Sequence, residues 1–132
     1  MSDVNPAAMP VGVTPYITPK DARAAVELYK AAFGAEVVDM RPTPDGRLMH
    51  CGLRINGGLL MMSDAFPDHG YPYEAPQGFA LHLQVDDARA WAERAVAAGF
   101  VITMPIEKQF WGDIYGQLRD PQGILWSLGS NQ

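Results

Sequence analysis

The sequence predicts an α+β fold in which one βαβββ module is used twice. Three observations carry this. The tetrapeptide Asp21-Ala22-Arg23-Ala24 recurs as Asp87-Ala88-Arg89-Ala90, 66 residues further on in a chain of 132. Each copy follows a short alternating segment and opens an Ala-rich stretch with helical periodicity, which then gives way to a β-branched run. Each half finally holds two alternating segments joined by turn residues. A duplicated unit of this size buries its apolar face only with its neighbour's help, so the two modules are expected to make one structural domain.

The elements follow in order. Residues 1–10 carry two prolines and no periodicity and are expected to form a flexible tail. The first module spans 11–64, a linker rich in proline spans 65–77, and the second module spans 78–132. Val13–Thr18 and Phe79–Val85 are the opening strands. In the first helix Ala25, Leu28, Tyr29, Ala32 and Phe33 share a face; in the second Ala88, Trp91, Ala92, Ala95 and Val96 do. Asp21 and Asp87 stand at N-cap positions, and Gly34 and Gly99 at the stops. Glu36–Met40 and Val101–Met104 follow the helices. Leu48–Ile55 and Leu59–Ser63 flank Asn56-Gly57-Gly58, a tight hairpin signal. Ile114–Arg119 and Ile124–Leu128 flank the turn Asp120-Pro121-Gln122-Gly123.

Composition bounds the function. Lys plus Arg number 10 against 15 Asp plus Glu, a net charge of −5. That balance argues against nucleic acid and against an anionic membrane surface as partners. Apolar residues at 48% exclude general disorder. The single Cys51 allows no internal disulfide, and no apolar run approaches a membrane span. A cytoplasmic location is the expectation.

Strand parity sorts the side chains into two faces. One holds Val13, Ile17, Cys51, Leu53, Ile55, Leu60, Met62, Phe79, Leu81, Leu83, Val85, Leu118, Trp126 and Leu128, and is the core. The other holds Tyr16, His50, Arg54, Met61, Ala80, His82, Gln84, Tyr115, Gln117, Arg119 and Ser127. Its mixture of small, apolar and hydrogen-bonding groups matches the wall of a binding cavity better than a solvated sheet face. Tyr16, His50, Met61, His82, Trp111 and Ser127 are therefore the candidate ligand-binding residues, and His50, His82 and Asp64 the candidate catalytic ones. Several readings stay open. His50, His82 and Asp64 form a relocated metal site, or the two imidazoles act as hydrogen-bonding or acid/base groups, or they are structural. Asp64 orients His50 or begins a turn. Trp111 closes a cavity mouth or a dimer contact, or fills the core. Arg54 and Arg119 meet an anionic ligand or sit in rim ion pairs. His69 is expected to be solvated, and Cys51, facing the core, is not a nucleophile.

Thr14-Pro15-Tyr16-Ile17, Leu28-Tyr-Lys-Ala-Ala-Phe-Gly34 and Asp120-Pro-Gln-Gly-Ile-Leu-Trp126, set in two βαβββ modules, resemble the vicinal oxygen chelate superfamily of glyoxalases, bleomycin-resistance proteins and extradiol dioxygenases. Met49-His50, Met62-Ser-Asp64, Val85-Asp-Asp87 and Phe110-Trp-Gly-Asp113 resemble its PhnB-like branch. The resemblance covers residues 11–129. It implies a cupped, mixed sheet of eight strands with helices on the convex side, and a homodimer. Catalytic members hold a divalent metal with one side chain from each of four strands. The corresponding positions here are Thr14, Met61, Ala80 and Ser127, which offer neither imidazole nor carboxylate. The expectation is a protein without metal or other cofactor that binds a small organic molecule in a concave cavity. The alternatives are an enzyme using His50 or His82 in metal-free acid/base catalysis, or a metal-dependent lyase, isomerase or dioxygenase.

Overall fold

A computed structural model describes residues 8–132; most of the expected tail, residues 1–7, lies outside them. The order is β1 (Tyr16–Ile17), α1 (Ala22–Phe33), β2 (Glu36–Pro42), β3 (Leu48–Ile55), β4 (Gly58–Met62), β5 (Leu81–Gln84), α2 (Ala88–Ala97), β6 (Val101–Lys108), β7 (Ile114–Arg119) and β8 (Leu125–Ser130). This is the α+β, twice-βαβββ organisation that the sequence predicts. The strands form two four-stranded mixed sheets, ordered β1-β4-β3-β2 and β5-β8-β7-β6. In each, the opening strand runs parallel to the last, and the other neighbours are antiparallel. Contacts divide the chain into two compact units, one reaching Lys30 and resuming from Gly34 to Glu74, the other comprising Ala31–Phe33 and Ala75–Gln132.

Local chemistry explains the element ends. The Asp21 carboxylate accepts from Ala24 N at 3.1 Å, and Asp87 accepts from Ala90 N at 3.1 Å, so both N-caps lie where the repeat puts them. Gly34 ends α1 in the left-handed region at φ 68°, and its N–H donates to Lys30 O. Asn56 and Gly57 both have positive φ, 49° and 81°, the twist a two-residue hairpin between β3 and β4 demands.

In the first unit Ala22, Ala25, Val26 and Tyr29 of α1 are buried with Ile17, Cys51, Leu53, Ile55, Leu60 and Met62 of the sheet. In the second, Leu83, Leu118, Trp126 and Leu128 are buried with Ala88, Ala92 and Ala95 of α2. Phe33 lies at ring-contact distance from Trp91, Phe100 and Trp126 there. The opening strands are shorter than expected. Pro15 and Pro19 bracket β1, and a proline lacks the N–H a ladder needs. Val13 is consequently fully exposed and Phe79 is 44% exposed, so neither belongs to the core. Val96 is also exposed, while Leu28, Trp91, Leu81 and Val85 are half-buried. Conversely β2 and β6 run on to Pro42 and Lys108, with bulges interrupting their pairing. Among the described residues no helix is long and apolar enough to cross a membrane.

Candidate functional site

The ladder registers place the candidate side chains in rows. In the first sheet Tyr16 pairs with Met61, Met61 with Gly52, and Gly52 with Asp39, one residue from each strand. His50 stands two residues from Gly52 on the same face of β3, opposite Arg41. Because Gly52 has no side chain, the space over the row is left to its neighbours. The Tyr16 hydroxyl lies 3.2 Å from His50 Nδ1, with ring centroids 5.8 Å apart. His50 Nε2 faces Asp39 Oδ2 at 3.6 Å, and Arg41 Nε pairs with that same oxygen at 3.2 Å. An ionised carboxylate only accepts, so the tautomer with its proton on Nε2 turns that proton toward Asp39 and leaves Nδ1 to accept from the phenol.

The second sheet repeats the row as His82, Ser127, Gln117 and Met104. Here the aromatic and imidazole positions are exchanged: His82 is on the opening strand and Tyr115 on the third, their rings stacked at 5.9 Å. His82 Nδ1 is 2.7 Å from Ser127 Oγ, and Nε2 is 2.8 Å from Gln84 Oε1. A Cβ on Gly129 would come within 2.7 Å of Gln84 Oε1 and 2.9 Å of His82 Cε1; bare backbone admits the pair. Gln117 Nε2 donates to the Tyr115 hydroxyl at 3.1 Å. Beside this network a cleft of about 330 Å³ is lined by Phe79, Ala80, Gln117, Arg119 and Leu125 among others. Arg119 Nη1 donates to Gly123 O. Trp111 is half-exposed in the turn before β7, edge-on to Tyr115 at 6.0 Å.

Asp64 does not orient His50. Its Oδ1 accepts from Ala22 N at 2.8 Å, at the start of α1, and its Oδ2 from Leu48 N at 2.7 Å, at the start of β3. The carboxylate that faces His50 is Asp39, which the sequence reading did not single out. The bulge between Val37 and Asp39 breaks the alternation that would have assigned its face. Asp120 is likewise structural: buried, it accepts from Gln122 N, Ile124 N and Trp126 Nε1. Arg54 reaches Gly57 O within its own hairpin. His69 is exposed next to Asp68. Burial pushes the Cys51 thiol up to about 11, with the Asp39 charge adding to it, so it stays protonated and inert.

The residues present do not fit a divalent metal. Thr14 and Ser127 supply neutral hydroxyls, the latter buried and committed to His82. Met61 supplies a thioether and Ala80 no donor. The relocated site fares no better: both Asp64 oxygens are held by backbone N–H groups, and both ring nitrogens of each imidazole have partners. Among the described residues no three His, Cys, Asp or Glu side chains gather as a metal would need.

Residues 11–128 match the model of the Glyoxalase/Bleomycin resistance protein/Dioxygenase superfamily. The uncharacterized protein Mb0911c of Mycobacterium bovis is 38% identical over 123 residues, 89% of this chain and 81% of that protein. The crystal structure of protein PA1353 from Pseudomonas aeruginosa superposes with a TM-score of 0.77 at 30% identity, covering 92% of this chain and 98% of that one. A PhnB protein from Bacillus cereus, described as a putative 3-demethylubiquinone-9 3-methyltransferase, shares the fold with a TM-score of 0.71 at 18% identity, covering 91% and 99%. On the match across nearly its whole length, this chain belongs to the glyoxalase/bleomycin resistance protein/dioxygenase superfamily.

Proposed function

We propose that the protein binds a small organic molecule without a metal, on the face of the second sheet that carries His82, Gln117 and Arg119. The observation that carries this is the fate of the superfamily's chelating positions. Ala80 has no donor atom, and Ser127 spends its hydroxyl on His82, so the chemistry left at that face is hydrogen bonding. The cleft of about 330 Å³ is of a size for a small ligand. Phe79 and Leu125 give it apolar walls, and Gln117 and Arg119 give it polar ends. One guanidinium N–H goes to Gly123 O, and among the described residues the rest of the fork remains to meet a carboxylate or carbonyl oxygen. This chemistry favours an acid or carbonyl compound of modest size over a cation, despite the chain's net charge of −5.

Titration calorimetry with a panel of small aryl carboxylic acids and the matching amines tests the reading. An acid that binds the wild type and loses at least about tenfold in affinity in Arg119→Gln, the scale of one charge-assisted contact, supports it. Binding of amines alone, or of acids with unchanged affinity in Arg119→Gln, contradicts it. The same reading takes the protein as a homodimer in the cytoplasm. Sedimentation at twice 14.4 kDa supports the assembly, and a monomer at micromolar concentration removes it.

A further inference from the structure

The first sheet holds a group of side chains that the proposed binding face does not use. Tyr16 is 51% exposed and so open to a reagent, while the imidazole and carboxylate behind it are shielded, with 21% of the His50 side chain and 24% of the Asp39 side chain accessible. The order is phenol, imidazole, carboxylate, with Tyr16 Oη to His50 Nδ1 at 3.2 Å and His50 Nε2 to Asp39 Oδ2 at 3.6 Å. A nucleophile within hydrogen-bond reach of a base, with a third group holding that base in the right tautomer, is the arrangement that activates hydroxyl nucleophiles generally. Asp39 is itself fixed, through Arg41 on the same carboxylate oxygen. Met61, paired in register with Tyr16, gives the phenol an apolar neighbour for an acyl chain or aryl group.

We propose that Tyr16 is a His50-activated nucleophile that takes acyl groups from small activated esters, with Asp39 as the positioning residue. In the step, Tyr16 Oη bonds to the acyl carbonyl carbon, and the phenolic proton moves to His50 Nδ1. The ester C–O bond then breaks, and the leaving group departs with the electron pair. The imidazolium, facing the Asp39 carboxylate at 3.6 Å through Nε2, returns the proton to the leaving group or to solvent. Water, with His50 again as base, releases the acid and restores the phenol. Water is the one co-reactant, and no oxidant or reductant enters the balance.

The probe is p-nitrophenyl acetate, read by p-nitrophenol release and by peptide mass spectrometry of the acetylated residue. Tyr71 is the internal control, since it is 72% exposed, more than Tyr16, and has no hydrogen-bonded base among the described residues. Tyr16 is expected to acetylate at least about tenfold faster than Tyr71, a conservative fraction of what a positioned general base supplies. His50→Asn places an oxygen where Nδ1 was, so it keeps a hydrogen-bond acceptor and removes the base; Tyr16 should fall to the Tyr71 rate. Asp39→Asn should slow Tyr16 several-fold with Tyr71 unchanged, and Tyr16→Phe should abolish the fast phase. Equal rates at Tyr16 and Tyr71, a wild-type rate in His50→Asn, or a fast phase surviving Tyr16→Phe with acetyl on His50 would each overturn the proposal. A thermal midpoint measured on every variant confirms that the fold is intact. The outcome is separate from binding at the second sheet, which Arg119→Gln reads.

Discussion

Asp64 and Ser130 occupy the same place in the two modules, and comparing their removal measures what Asp64 does. The Ala22 N–H donates to Asp64 Oδ1 at 2.8 Å, and the Ala88 N–H to Ser130 Oγ at 3.2 Å. Each joins a strand end to the first turn of the module's helix, across the same 42 residues of chain. The difference is charge and number. Asp64 also receives the Leu48 N–H at 2.7 Å, and both Ala22 and Leu48 are wholly buried. Asp64→Ala therefore leaves two buried N–H groups without their anionic acceptor. At about 1.5–3 kcal/mol for each of the two hydrogen bonds to a charged group, plus about 0.3–1 kcal/mol from the helix N-terminus, the loss is about 3–7 kcal/mol. Ser130→Ala removes one neutral acceptor and also the hydroxyl that donates to Gln132 O at 2.7 Å, and should cost about 1–3 kcal/mol. Asp64→Asn keeps one acceptor oxygen and should fall between them. Urea titrations of the three variants give the order directly, and acetylation of Tyr16 should be unaffected in whatever fraction stays folded. An Asp64→Ala protein as stable as Ser130→Ala, or one of full stability that has lost Tyr16 reactivity, would refute the structural reading of Asp64.

Two further outcomes are expected. Trp126→Ala and Leu83→Ala truncate the second unit's core and should each cost about 2–5 kcal/mol in urea unfolding, whereas His82→Ala, on the opposite face, removes the partner of the buried Ser127 hydroxyl and should cost about 1–2 kcal/mol; the reverse ranking would invert the assignment of faces. The segment after β4 is tied to β3 by Arg47, which pairs with both Asp68 oxygens, pairs with Asp45, and lies 4.3 Å over the Phe66 ring. Hydrogen bonds from Arg47 hold the Asp68 and Asp45 carboxyls below the usual carboxylate range, with Thr43 also donating to Asp45. Folded-state values that are depressed stabilise above the ordinary carboxylate pKa and are lost as pH falls through the depressed values. Hydrogen exchange in residues 64–74, corrected for intrinsic rates, should thus stay slow at neutral pH and rise only below about pH 4. Arg47→Ala should raise it already at neutral pH; protection indifferent to both would exclude the tie.

The helices were legible because their signals are local. A cap aspartate, an apolar stripe and a stop glycine lie within one stretch of chain, as at Asp21, Tyr29 and Gly34. Leu48–Ile55 was legible to the residue, since Cys51, Leu53 and Ile55 alternate with smaller or polar residues and Asn56-Gly57 ends it. The opening strands were overextended because alternation at Val13 and Phe79 continues past the point where pairing ends. The pairings Tyr16–His50 and His82–Ser127 join residues 34 and 45 apart, so sequence gave the face but not the partner. Asp39 lies behind a bulge that hides its face from sequence parity, and nothing local shows that Ala22 and Leu48 consume the oxygens of Asp64.

The central proposal is that hydrogen bonding stands in this chain where the superfamily's metal chemistry would be, and metal-dependent thermal stability tests it most directly. Protein purified without a histidine tag and dialysed against chelator, then buffer, is expected to hold well under one equivalent of Zn, Fe, Mn, Ni or Co. Adding each ion should leave the unfolding midpoint where it was, because a cation that binds only the native state must raise it. Stoichiometric metal surviving dialysis, with a midpoint rise that disappears on Met61→Ala or Ser127→Ala, would contradict the claim.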